Sequence, residues 1–165
     1  MFASPVLYLA VEGVLFPRTS LPPSSKAAQT FAVPPIESHV DRLEKLLDEA
    51  NVSVVVNSTW VLTAGFRTVL GLFPAGIRRR TAGATIPGSK ILGRRINAVV
   101  GRATWLENDL KRREPSQVTV LDFDFRYVPV RLRDACFIAE RGLWRASEDD
   151  WQRLRSLLMR RGEEV

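Results

Sequence analysis

The chain is predicted to fold as an α/β protein, a three-layer α/β/α sandwich around a mainly parallel sheet, and three observations carry that expectation. Short apolar runs suited to strands recur at residues 6–11, 52–56 and 118–121. Amphipathic helical stretches separate them, and such alternation is the pattern of a layered α/β domain. Each run ends in polar or acidic residues, namely Glu12, Asn57-Ser58 and Asp122. In an open parallel sheet, ligands bind just past the carboxyl ends of the strands, so these ends mark a candidate site. A length of 165 residues with 45% hydrophobic content suits one domain over 1–165 with a sizeable core.

Residues 6–11 are apolar without interruption, which predicts a strand covered on both faces. Glu12 and Gly13 break the run. Residues 17–36 are rich in Pro, Ser and Thr, with Pro22-Pro23, Ser24-Ser25 and Pro34-Pro35 as punctuators. This long loop is read either as a flap over the site mouth or as a plain linker. Val40, Leu43, Leu46 and Leu47 recur at helical spacing, and Asn51 ends that helix. His39 is expected at its surface or boundary, and one histidine cannot build a metal site. The β-branched run 52–56 predicts a second buried strand.

Asn57-Ser58-Thr59-Trp60 follows, and the small hydroxyls suit either an anion or the cap of the next helix. Phe66, Val69, Leu70 and Phe73 stripe that helix, with Pro74 and Gly76 expected to stop it. Arg78-Arg79-Arg80 is the densest positive cluster, read as a solvated surface or as a draw for phosphates. Residues 81–88 read as a loop or short irregular strand. From Ser89 to about Arg113 the pattern is helical, with Ile91, Leu92, Ile96, Leu106 and Leu110 apolar and Lys90, Arg94, Arg95 and Arg102 among its cations. Residues 118–124 form an apolar strand ending in Asp122-Phe123-Asp124, and 135–139 another, in which Cys136 is expected to be a small buried hydrophobe. Ser147 with Asp150 gives a capping box ahead of a closing helix striped by Trp151, Leu154, Leu157 and Leu158.

Leu9-Ala10-Val11-Glu12-Gly13-Val14-Leu15 resembles the first motif of the haloacid dehalogenase (HAD) superfamily, hydrophobic-Asp-x-Asp-Gly-x-Leu, with both aspartates replaced. The resemblance implies a Rossmann-like, HAD-like sheet. In that family the first Asp is the nucleophile and a magnesium ligand, and the second is the acid-base. Ala10 can be neither, and Glu12 keeps a carboxylate one methylene too long. Residues 57–60 look like the second motif, whose hydroxyl bonds a phosphoryl oxygen; spacing to Trp60 favours Ser58, with Asn57 as the alternative. The third motif is one Lys or Arg, for which Lys90, Arg94 and Arg95 are candidates. Residues 118–124 resemble the fourth motif, so Asp122, Asp124 and the Glu12 backbone carbonyl are the implied, weak magnesium ligands. The Pro-rich insert 17–36 is too short for a cap domain. The terminal strand, Gly142-Leu143 and last helix follow the order of a compact, capless subgroup associated with RNA-repair proteins.

Composition narrows the rest. One cysteine leaves no disulfide framework or zinc cluster, and Glu12 interrupts the only N-terminal apolar run, so neither a secretory signal nor a membrane span is expected and a cytoplasmic protein is. A net charge of +6 permits phosphate-rich partners. Three readings result. The leading one is a catalytically degenerate HAD-like domain that binds a phosphate-bearing ligand or a protein partner without turnover. The second is a magnesium-dependent phosphatase or nucleotidase using Glu12 or a rearranged acidic site. The third is a nucleic-acid-associated protein using Arg78, Arg79, Arg80 and the C-terminal helix.

Overall fold

The computed structural model describes residues 4–18, 37–86 and 101–160. Within them, β1 (Val6–Leu9), β2 (Ser53–Val56), β3 (Thr81–Ala84), β4 (Val118–Asp122) and β5 (Cys136–Ile138) form one five-stranded sheet in the order β3-β2-β1-β4-β5. Every pairing is parallel. The chain moves outward from β1 to β2 and β3, then returns to β4 on the other side. That reversal creates a crevice at the carboxyl tips of β1 and β4, where α/β sheets hold ligands.

The helices are α1 (Glu37–Ala50), α2 (Trp60–Ala64), α3 (Phe66–Leu70), α4 (Ala75–Arg80), α5 (Arg102–Arg113) and α6 (Glu148–Met159). Side chains alternate across a strand, so each strand feeds two cores. Leu7, Leu9, Val54, Val56 and Leu121 pack with Leu43 and Leu47 of α1, Ile77 of α4 and Leu154 of α6. Val6, Tyr8, Val55 and Val120 pack on the opposite side with Leu106 and Leu110 of α5. This is the three-layer arrangement expected from the sequence. No helix among the described residues is long and apolar enough to cross a membrane.

A polar pin fixes α5 to the central strand. The Tyr8 hydroxyl, fully buried, donates to Asp109 Oδ2 at 3.0 Å, and the buried Asp109 carboxylate also pairs with Arg113 at 2.7 Å and with Arg112. Burial, then the Asp109 charge, push the phenol well above its usual range. Tyr8→Phe removes one donor from a buried carboxylate and is expected to cost about 1–3 kcal/mol, read by urea denaturation. A change under 0.5 kcal/mol would show that the two arginines alone satisfy Asp109.

Several local expectations are corrected. Pro74 does not simply stop a helix: its extended backbone caps α4, and Gly76 N–H donates to Glu44 Oε1 at 2.5 Å. The preceding helix is two short ones, split at Gly65, whose φ is 86°. Of the two readings of the stretch after Arg80, the short irregular strand holds: β3 pairs with β2 across a register shift beside Val54 and Val55, and that pairing satisfies the backbone of its small residues. His39 is 6% exposed, not at the surface; its Nε2 lies 3.1 Å from the Leu15 carbonyl oxygen, tying α1 to the turn after β1. Burial holds its pKa below the usual value, against the Leu15 hydrogen bond. Cys136 is half-buried because β5 is the sheet's edge, and its thiol donates to the Arg133 carbonyl at 3.1 Å. Asn51 ends α1 with φ 50°, and the Ser147–Asp150 capping box forms as expected. The predicted helix 89–100, with Lys90, Arg94 and Arg95, and the loop 19–36 lie outside the described residues.

Candidate functional site at the strand tips

The tips of β1, β2 and β4 stand level, since Leu9 pairs with both Val56 and Leu121. Ala10, fully buried, therefore follows directly beside the residues that follow those partners, Asn57 and Asp122. A methyl group stands where the family resemblance implies a nucleophile. The chain then turns sharply: Leu15 N–H donates to Val11 O at 2.9 Å and Gly13 N–H to Phe16 O at 2.6 Å. Gly13 has φ 79°, and a methyl there would collide with the Phe123 ring and the Arg18 side chain, so only glycine fits.

This turn sends Glu12 toward the end of β2. Its carboxylate accepts from Ser58 Oγ, from Thr59 N at 3.0 Å and from Thr59 Oγ1 at 2.9 Å. Ser58 Oγ in turn accepts from Trp60 N, the first residue of α2, at 3.1 Å. The hydroxyl that the resemblance assigns to a phosphoryl oxygen thus holds the protein's own carboxylate. Asn57 faces elsewhere: Oδ1 accepts from Thr85 Oγ1 at 3.0 Å, while Nδ2 is buried without a partner among the described residues.

Arg102, at the start of α5, completes the cluster and was read from sequence only as one more helix cation. It is 2% exposed. Its Nη2 donates to Asp122 Oδ1 at 3.0 Å, its Nη1 lies 3.7 Å from Glu12 Oε1, and Nη1 also donates to the Asn57 carbonyl at 3.3 Å. The guanidinium lies 4.1 Å from the Tyr127 ring centre and 5.0 Å from that of Phe123. Phe123, which interrupts the acidic run at the end of β4, therefore serves as a wall for the cation, and Arg18 covers the same ring at 4.9 Å. A signal for Arg102 existed: carboxylates at two adjacent strand tips demand a cation, and Arg102 opens the last helix before β4.

Asp122 is fully buried, and burial raises its pKa to about 6, with Arg102 and the Phe123 N–H opposing and the Glu12 charge assisting. Its Oδ2 has no partner among the described residues. Asp124 does not join it. Its carboxylate accepts from Arg126 N and Arg126 Nε, both at 2.8 Å, and these bonds hold its pKa below the usual value. The fit to magnesium is poor on this geometry. Asp124 is tied to Arg126, which leaves Asp122 and the Glu12 backbone carbonyl of the implied set, and no group of three acidic, His or Cys side chains among the described residues could hold a metal. The positive charge beside Asp122 is that of Arg102, 3.0 Å away.

Arg78, Arg79 and Arg80 are remote from this cluster. They close α4 immediately before β3 begins, at the amino end of the sheet, opposite the strand tips. Arg80 is paired with Asp48 at 2.7 Å.

A family model described as the HAD domain in Swiss Army Knife RNA repair proteins matches residues 6–143. Neither a curated protein nor a solved structure matches the chain.

Proposed function

The chain belongs to the family of HAD domains found in Swiss Army Knife RNA repair proteins, and from that membership we propose that it is a member without phosphoryl-transfer chemistry, which binds a phosphate-bearing ligand or a protein partner and leaves it unchanged. One observation carries the reading. Ala10 stands at the nucleophile position while Arg102 bridges the two remaining strand-tip acids, 3.0 Å from Asp122 and 3.7 Å from Glu12. Deleting a covalent nucleophile costs about 10⁴–10⁶ in rate in other hydrolases.

The internal bonds set the terms of binding at this site. A phosphate takes Ser58 and Thr59 where the Glu12 carboxylate, a like charge, gives way to it. A metal approaching Asp122 meets Arg102. We place the protein in the cytoplasm, where a lone thiol such as Cys136 stays reduced.

The test is hydrolysis of p-nitrophenyl phosphate and a nucleotide panel with magnesium by wild type, Ala10→Asp/Glu12→Asp and Asp122→Asn. Wild type is expected to match protein-free buffer. The double variant, which supplies a carboxylate at position 10 and shortens the one on Ser58, is expected to gain a measurable rate. Robust wild-type turnover that Asp122→Asn abolishes would overturn the reading in favour of an active phosphatase with a rearranged acidic site.

A further inference from the structure

We propose that the open edge of the sheet, along β5, is a binding strip for single-stranded nucleic acid, formed by Arg133, Arg153 and Arg160 together with the exposed ring of Phe125. This surface is separate from the strand-tip cluster. Among the described residues, 136–138 pair only with β4, so their outer side lies at the margin of the sheet. Two clefts follow that margin. The first, of about 420 Å³, is walled by the three arginines, which come from two different elements, the 3₁₀ turn before β5 and helix α6 with its C-cap. The second, of about 270 Å³, holds Phe125 and Arg18. Arg133 joins them, since it lines the first cleft and its guanidinium lies 5.9 Å from the Phe125 ring centre.

The charge on this strip is weakly paired. Arg133 and Arg160 make no ion pair among the described residues, and Arg153, its side chain 72% exposed, has one ion-pair contact, to Asp150 at 4.0 Å, and lies 5.6 Å from the Phe137 ring centre. The acids on the clefts are Asp134 in the first, and Glu140 and the Arg126-bound Asp124 in the second. The first cleft is therefore net positive. Phe125 is 46% exposed, a large ring presented to solvent beside a cation. A row of arginines next to an exposed aromatic face is the combination that tracks a phosphodiester backbone while stacking a base. An acidic peptide would use the arginines and leave Phe125 without a role.

The experiment is fluorescence anisotropy of a labelled 20-residue oligouridylate titrated with the whole chain. Neutralising three phosphates on a single strand gives a salt slope of about −2, so raising salt from 50 to 200 mM should weaken binding about 20-fold. Arg133→Gln/Arg153→Gln/Arg160→Gln should lose at least tenfold in affinity at 50 mM salt. Phe125→Ala should lose about fivefold or more toward oligouridylate and nothing toward polyphosphate. Arg78→Gln/Arg79→Gln, on a different face, should bind as wild type. The proposal is overturned if wild type fails to bind at 50 mM salt, if the triple variant binds as wild type, if duplex of the same length is preferred, or if polyglutamate competes as well as unlabelled oligouridylate.

Discussion

Arg102→Met is expected to lower stability by about 3–5 kcal/mol. Two carboxylates lose their common cation at once, and Asp122 is fully buried. An ion pair of this kind is not itself a large source of stability, since both charges were stripped of water to form it. Breaking it from one side is different, because the remaining charge stays buried alone. The side chain also stacks on Tyr127 and Phe123, and methionine recovers the packing without the charge. For a chain of this size the loss corresponds to a melting temperature lower by about 6–20 °C. Arg102→Met/Asp122→Asn should recover part of the loss, giving a favourable coupling in a double-mutant cycle. A single-variant loss below 1 kcal/mol, with no coupling, would mean that Arg102 does not hold the two acids in solution.

Arg102 also marks where sequence reading stops. Element order was legible because it rests on local patterns: the unbroken apolar run before Glu12, the stripe of Leu43, Leu46 and Leu47, the Ser147–Asp150 cap. Glu12, Ser58 and Asp122 were legible too, as polar residues ending apolar runs. What these residues do to one another was not. Glu12 and Ser58 are 46 positions apart, and nothing local says that the carboxylate folds onto that hydroxyl and not toward Asp122. Asp124 read as a partner of Asp122, yet a local contact to Arg126, two residues on, captures it. His39 read as peripheral because a histidine on a helix is more often a surface or boundary residue; the Leu15 carbonyl it meets comes from a turn 24 residues earlier. The exposure of Phe125 depends on a 3₁₀ turn that no periodicity signals.

Asp122 is expected to make the protein less stable as pH rises from about 4 to about 6. Its native pKa, about 6, lies above the unfolded value of 3.8, so between those values the folded state binds more protons than the unfolded one. Stability from this group is therefore fully present below pH 3.8 and is lost as pH climbs through 6. The shift of roughly two units corresponds to about 3 kcal/mol. Two effects compete here: burial favours the neutral acid, while Arg102 at 3.0 Å favours the carboxylate, and burial is the larger. His39 works in the opposite direction, since a histidine held neutral by burial loses stability as pH falls below its ordinary range. Wild-type melts alone would mix the two. Urea denaturation of wild type and Asp122→Asn at half-unit steps from pH 4 to 7 removes the histidine contribution by difference. The asparagine variant should gain on wild type by about 3 kcal/mol across that range. A flat difference, or a gain by wild type, would show that Arg102 overcomes burial and keeps Asp122 ionised throughout. A predominantly neutral Asp122 near pH 5 no longer offers Arg102 a full negative charge, so the guanidinium then rests on the Asn57 carbonyl and on the rings of Tyr127 and Phe123.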